Sequence, residues 1–117
     1  MQRNTVLLDD NAKRASGEES VLYECPAEDV LRLISGKWKP QILQLAFQGP
    51  IRFNGLLRKI PGSSKQSLSV ALHELEGAQV LTKKVVSEKP LHIEYLLSEK
   101  GLSLMPIFRM AADVARS

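Results

Sequence analysis

Apolar and polar positions along the 117-residue chain change period several times, and each change marks an element. Residues 1 to 20 are polar, with Asn11 to Ser20 almost free of apolar side chains, and show no sustained period. This predicts a flexible N-terminal arm over 1–22, with everything from 23 to 117 in one domain. Cys25-Pro26-Ala27-Glu28-Asp29 opens a helix running to about Ser35, because proline suits the first helical position and acids suit the first turn. Lys39-Pro40 starts a second helix through Phe47, which Gly49-Pro50 closes. Ile51, Arg52 and Phe53 can form one short strand.

Two helical patterns follow, separated by a turn too short to let them drift apart. In the first, Asn54 is placed to cap the start, and Leu56, Leu57 and Ile60 share a side before Pro61-Gly62 stops it. The second begins at the capping residue Ser64 and carries Leu68, Ala71, Leu72 and Leu75 on one stripe. That is the pattern of a helix-turn-helix. At roughly 100° per residue, the opposite face presents Gln66, Val70 and His73, flanked by Ser67 and Ser69. None is an acid, and an amide, hydroxyls, an imidazole and a small aliphatic group can all read base edges. A plain solvated helix in an all-α domain would fit the same periodicity.

After Gln79 the period becomes extended. Val80 to Val86 and Leu91 to Leu97 read as paired strands joined by Ser87-Glu88-Lys89-Pro90, with Ile93, Tyr95 and Leu97 alternating against His92, Glu94 and Leu96. A hairpin directly after a helix-turn-helix is a wing, and Lys89 and His92 stand where a wing meets DNA backbone or minor groove. Alternation sends Lys83 and Lys84 to opposite faces, so at most one faces phosphate. Ser98 caps a last helix whose apolar residues cover more than the arc one core can bury, and Pro106 kinks it or starts a second segment. A second copy of the chain is the natural cover, with Leu104, Met105, Phe108, Ala111, Ala112 and Ala115 as the expected dimer interface. A two-fold axis would then place two reading helices in successive major grooves of a palindromic operator, about 34 Å apart.

Charge sharpens this picture. The formal net charge is only +3, yet residues 1–30 hold three basic and seven acidic side chains, while residues 51–92 hold seven basic and three acidic ones. The positive excess surrounds the reading helix, as phosphate binding asks. No apolar run approaches the roughly 18 residues of a membrane span, and Thr5 to Leu8 is too short for a signal-peptide core, so a cytoplasmic protein is expected.

Catalytic chemistry finds no foothold. His73-Glu74-Leu75-Glu76 is not a zinc-protease motif, no glycine loop cradles phosphate, and Cys25, His73 and His92 lack ligand spacing. No enzyme, metal or cofactor is expected. Cys25, the single cysteine, is expected at or beside a helix N-cap, where free amides favour the thiolate. Glu24, Glu28 and Asp29 oppose that, and a small buried thiol is the other reading.

Taken in order, Cys25-Pro26, Gly36-Lys37-Trp38, Gly49-Pro50 with Arg52-Phe53, Leu57 with Ile60-Pro61-Gly62, Ser64 with Leu68-Ser69 and Leu72, Leu75-Glu76, and Glu94-Tyr95 before Leu97-Ser98-Glu99-Lys100-Gly101 carry a resemblance. From Cys25 to about Ala115 the chain resembles the HxlR-type winged-helix transcriptional regulators, relatives of the MarR class. The resemblance implies an α+β, mainly α, winged helix-turn-helix with a C-terminal dimerisation helix, acting as a homodimeric repressor or activator on double-stranded DNA. In many members a cysteine at the position of Cys25 responds to electrophiles or oxidants; a small-molecule effector, or a protein-interaction module without DNA binding, are the alternatives. The chain departs from the family at Ser63 and Ser67, where apolar residues are usual, which predicts a looser or differently aimed start to the reading helix. The lysine usual near that start stands at Lys65 rather than at position 66. Roles follow on this reading: Gln66 reads a base and Val70 a thymine methyl, Ser64, Ser67, Ser69 and His73 support them, and Arg52, Lys65, Lys89 and His92 meet the backbone.

Overall fold

The computed structural model describes residues 25–117, so the expected arm over 1–22 lies outside the described residues. The elements are α1 (Glu28–Leu33), α2 (Lys39–Ala46), α3 (Phe53–Lys59), α4 (Lys65–Gly77), β1 (Leu81–Glu88), β2 (Leu91–Leu97), α5 (Glu99–Leu102) and α6 (Met105–Arg116). The order of helix pair, hairpin and C-terminal helices is the one the periodicities predict.

One core holds these together. Ile42 and Leu43 of α2, Leu56 of α3 and Leu68, Leu72 and Leu75 of α4 are all buried, closed below by Ile60, Val80 and Leu81. Burying an aliphatic side chain of this size contributes about 1.5–3 kcal/mol, so the α4 stripe alone outweighs any propensity term in that helix. Trp38 is half-buried against the core, and its ring lies beneath the α3–α4 turn, close to Gly62 at φ +83. A Cβ at Gly62 would sit 3.8 Å from Trp38 Cη2, in ordinary contact. The left-handed backbone, rather than crowding, therefore selects glycine there.

The sheet has two antiparallel strands, pairing Leu81 with Leu97, Lys83 with Tyr95 and Val85 with Ile93. Val86 is an extra residue: the register resumes with Ser87 opposite His92 and Glu88 opposite Leu91. Strand pairing therefore runs on through Glu88, and the expected four-residue turn shrinks to Lys89-Pro90, joined by a cis peptide bond. The bulge explains this, since inserting one residue on β1 turns the strand and carries it further before reversal.

The short strand expected over 51–53 is a single bridge. Ile51 exchanges both backbone hydrogen bonds with Tyr95 (3.0 and 2.8 Å), and Phe53 is already the first residue of α3. Asn54 is consequently inside the helix and does not cap it; the N-cap is Arg52, extended at φ −123, ψ 150, with no side-chain cap. Turning the chain at Arg52 brings Phe53 onto the core. Cys25 is likewise not at the α1 cap. The N-cap is Ala27, because a preceding turn closes first, with Glu28 N–H donating to Cys25 C=O at 2.9 Å.

At the other end Ser98 caps only the four-residue α5, accepting from Gly101 N–H at 3.0 Å, and Pro106 sits in the first turn of a separate helix, α6. Proline is harmless there because that turn has no intrahelical acceptor for its missing N–H. Leu104 is 4% exposed and belongs to the chain's own core, while Phe108 meets Phe47 edge-to-face at 5.3 Å. Leu104, expected at the dimer interface, is buried within its own chain instead, while Phe108 packs on Phe47 and stays partly exposed.

Candidate nucleic-acid interface

The turn Ile60–Ser64 and the start of α4 are held tightly. Ser63 Oγ donates to Ile60 C=O at 2.7 Å. Ser64 Oγ accepts from Ser67 N–H at 3.1 Å while Ser67 Oγ accepts from Ser64 N–H at 2.9 Å, a reciprocal capping box. The looser start expected from Ser63 and Ser67 is therefore not found: Ser63 Oγ adds a second donor to Ile60 C=O, and Ser67 Oγ satisfies the Ser64 amide at the helix start. Ser67 is half-buried and engaged in the cap, so its hydroxyl is no free reader of bases.

Beyond the cap, Gln66, Ser69, Val70 and His73 are exposed on one face of α4, with Val70 at 53%. Leu68, Ala71, Leu72 and Leu75 fill the opposite face, as their spacing predicts. An exposed aliphatic group between an amide and an imidazole leaves this face apolar enough to press on bases and polar enough to pair with them. Glu74, the nearest acid, points to Lys39 Nζ at 3.1 Å, and Lys39 also donates to Arg32 C=O at 3.4 Å. One ammonium thus ties α1, α2 and α4 together and turns a carboxylate's charge aside.

The far end of α4 is anchored too. Lys100 Nζ donates to Ala78 C=O at 3.0 Å, Ser98 Oγ to Gln79 C=O at 2.5 Å, and Val80 N–H to Leu75 C=O at 2.9 Å. Lys39, Ser98 and Lys100 are positioning residues that sequence periodicity does not assign. A signal for the last two was available: a capping serine followed two residues later by a lysine, directly after the wing.

Arg52, Arg58, Lys59, Lys65, Lys83, Lys84 and Lys89 are all exposed, and none of them is in an ion pair among the described residues. Lys89 stands at the hairpin tip, next to exposed Leu91. His92 does not project there freely: it sits two positions down the ladder opposite Ser87, half-buried, with Nε2 3.1 Å from Glu94 Oε2. Period two places His92 and Glu94 on the same strand face, which brings them together.

On α6, Met105, Phe108 and Ala112 turn toward α2 and line a cleft with Gln44, Phe47 and Arg109. Ile107, Met110 and Val114 form a second stripe, 37%, 69% and 74% exposed, with Ala111 beside it. Cys25 is half-buried. Among the described residues no group of three or more His, Cys, Asp and Glu side chains stands together, and no helix is long and apolar enough to cross a membrane.

Comparison with known proteins agrees with this geometry. The HxlR-like helix-turn-helix family matches residues 33–117. An HTH-type transcriptional regulator of Methanothermobacter thermautotrophicus is 38% identical over 85 residues, covering 73% of this chain and 65% of that protein, just under two thirds of its length. The HTH-type transcriptional regulator YodB of Bacillus subtilis is 33% identical over 86 residues, 73% of this chain and 77% of YodB. The solved structure of reduced YodB superposes with a TM-score of 0.72 at 31% identity, covering 80% of this chain and 92% of that one. The redox regulator HypR in its reduced form gives a TM-score of 0.72 at 32% identity over 76% and 88% of the two chains. YodB has also been solved diamide-treated and quinone-bound. With the helix pair, the two-stranded wing and the family match over the same residues, the chain belongs to the HxlR-like helix-turn-helix family of transcriptional regulators.

Proposed function

We propose that the protein binds an operator in double-stranded DNA as a homodimer, with α4 in the major groove, and that modification of Cys25 changes its affinity. The observation that carries the DNA-reading part is α4 itself, capped at its start, anchored at its end, and exposing Gln66, Ser69, Val70 and His73 among cations that no described acid pairs. On this reading Gln66 pairs with adenine N6 and N7, Val70 contacts a thymine methyl, and Ser69 and His73 flank them. Ser64 and Ser67 hold the cap that aims the helix. Arg52, Lys65 and Lys89 meet phosphates and set the register.

The open stripe Ile107, Met110 and Val114 supports α6 as the dimer contact, because three exposed aliphatic groups one turn apart are what a partner helix covers. For Cys25, support comes from two sides. YodB and HypR are similar proteins, HypR being a redox regulator and YodB solved with diamide and with quinone. Cys25 also leads into α1, whose last turn is gripped by Lys39, which in turn holds Glu74 of α4. With one thiol per chain, the available products are an inter-subunit disulfide, a mixed disulfide with a small thiol, or an alkylated sulfur. The cleft between α2 and α6 supports a second reading, in which a bound small molecule takes the place of cysteine chemistry.

The test is a titration of the reduced protein on its own upstream region and on random DNA at two salt concentrations, repeated after diamide and with Cys25→Ser. Selective, salt-sensitive binding that diamide alters in the wild type alone supports the whole proposal. Selective binding that ignores diamide transfers control to the cleft, and absence of DNA binding at either salt defeats the operator reading.

A further inference from the structure

The Gly49-Pro50 loop, the end of α2 and α3 enclose an open cleft of about 460 Å³. Its floor is apolar, with Ile51 and Leu56 buried beneath it, and its rim carries Arg52, Arg58 and Lys59. No carboxylate among the described residues lines it. Gly55 leaves room on that wall: a Cβ there would lie 3.9 Å from an Arg58 guanidinium nitrogen, so the arginine lies back across the helix toward the other end of the cleft. Three cations thus share one concavity without an acid among the described residues to offset their repulsion. Such an arrangement is stable in water but is relieved by an anion.

We infer that this cleft takes backbone phosphates of the bound DNA, so that the first helix of the helix-turn-helix carries a contact zone of its own, separate from the reading helix and the wing. The inference rests on the operator reading above. The first helix of such a pair crosses the sugar-phosphate backbone, and guanidinium forks match phosphate oxygens in pairs. All three side chains are exposed at the rim of an open cleft, where a phosphate held on a duplex can reach them without being enclosed. Arg52 lies on the expected backbone contact; Arg58 and Lys59 extend it.

The experiment compares wild type with Arg58→Gln/Lys59→Gln, which removes both charges but keeps polar, helix-compatible side chains, and with Arg58→Lys/Lys59→Arg, which keeps charge. Affinity for the upstream region and for random DNA is measured across a potassium chloride series. Each neutralised phosphate contributes about 0.9 to the slope of log K against log salt, so the Gln pair should lose about 2 from the slope on both DNAs, leave their affinity ratio unchanged, and be matched by wild-type slope in the charge-keeping pair. A wild-type slope in the Gln pair overturns the inference while leaving DNA binding intact. Failure of the wild type to bind DNA overturns the operator reading and this inference together. Inorganic phosphate is added at constant ionic strength in a melting experiment; if it stabilises wild type but not the Gln pair, and the DNA slopes agree, the cleft is a free-anion site and the inference fails.

Discussion

The capping box at the start of α4 gives a prediction whose size follows from its geometry. Ser64 and Ser67 each accept the other's backbone N–H, at 3.1 and 2.9 Å, so removing either hydroxyl orphans one amide and leaves its partner half-used. Ser64→Ala should cost about 1 kcal/mol of unfolding free energy, the usual value of a serine N-cap. Ser67→Ala loses the reciprocal bond but gains helix propensity of about 0.5 kcal/mol, so its net cost should stay below that of Ser64→Ala. The double variant should cost less than the two single costs combined, with a coupling of about 0.5–1 kcal/mol, because the two hydroxyls also pair with each other at 3.1 Å and either substitution alone already removes that bond. Urea unfolding of the four proteins at one fixed protomer concentration measures this, fixed because the proposed dimer would make stability depend on concentration. Since Ser67 caps rather than reads, its alanine variant should lower operator and random-DNA affinity by the same factor. Additive costs, or a Ser67→Ala protein that loses discrimination at one base pair, would refute the reciprocal cap.

Three further outcomes are expected. A Cβ at Gly101 would press within 2.8 Å of Leu97 Cδ2 and closer still to Val80 C=O, which cannot retreat because Ser98 N–H holds it at 3.0 Å. Gly101→Ala should therefore cost about 2 kcal/mol and lower Tm by roughly 10 °C, read by thermal unfolding, despite alanine's better helix propensity. Gln66→Ala should lose about 1–3 kcal/mol of discrimination at one base pair, whereas Lys89→Ala should weaken all sequences alike; competition titrations against single-base operator variants separate them. Met110→Asp should raise the protomer dissociation constant in sedimentation without lowering the unfolding free energy of the isolated protomer. Leu104→Ala, by contrast, should cost about 2–5 kcal/mol of that free energy, as a core truncation does.

The readable parts of this fold are those where one physical constraint acts alone. The α4 stripe appears in the sequence because Leu68, Ala71, Leu72 and Leu75 answer to a single core, and the wing appears because β-branched runs flank one proline turn. Where two constraints compete, sequence leaves a choice. Asn54 is a good cap by type, but packing Phe53 against the core moves the cap two residues earlier, to Arg52. Ser67 falls on the outward arc by angle, yet the orphan amide of Ser64 claims its hydroxyl. On α6 the apolar arc is wide enough for two neighbours, and periodicity cannot say which part the chain itself takes. Phe47 and the core claim Phe108 and Leu104, which leaves Ile107, Met110 and Val114 outside. The cation cleft was legible only in part: Arg52, Gly55 and the Arg58-Lys59 pair lie along one side of α3 by helical spacing, but the facing wall from the end of α2 and the Gly49-Pro50 loop is set by tertiary packing.

The bulge at Val86 has a bearing on solubility as well as on the wing. Among the described residues only β2 gains a second neighbour, through the Ile51–Tyr95 bridge, so the outer edge of β1 offers backbone groups that no described residue pairs, beside Val85 and Val86, 51% and 46% exposed. An edge of that kind invites another strand to add to it. Lys83 and Lys84 put charge next to the valines, and the extra residue breaks the hydrogen-bonding repeat that an incoming strand would have to match. The same two lysines and the same irregularity thus guard the hairpin against growing into a fibre, and swapping both lysines for threonine would be the quickest way to turn a stable regulator into an aggregating one.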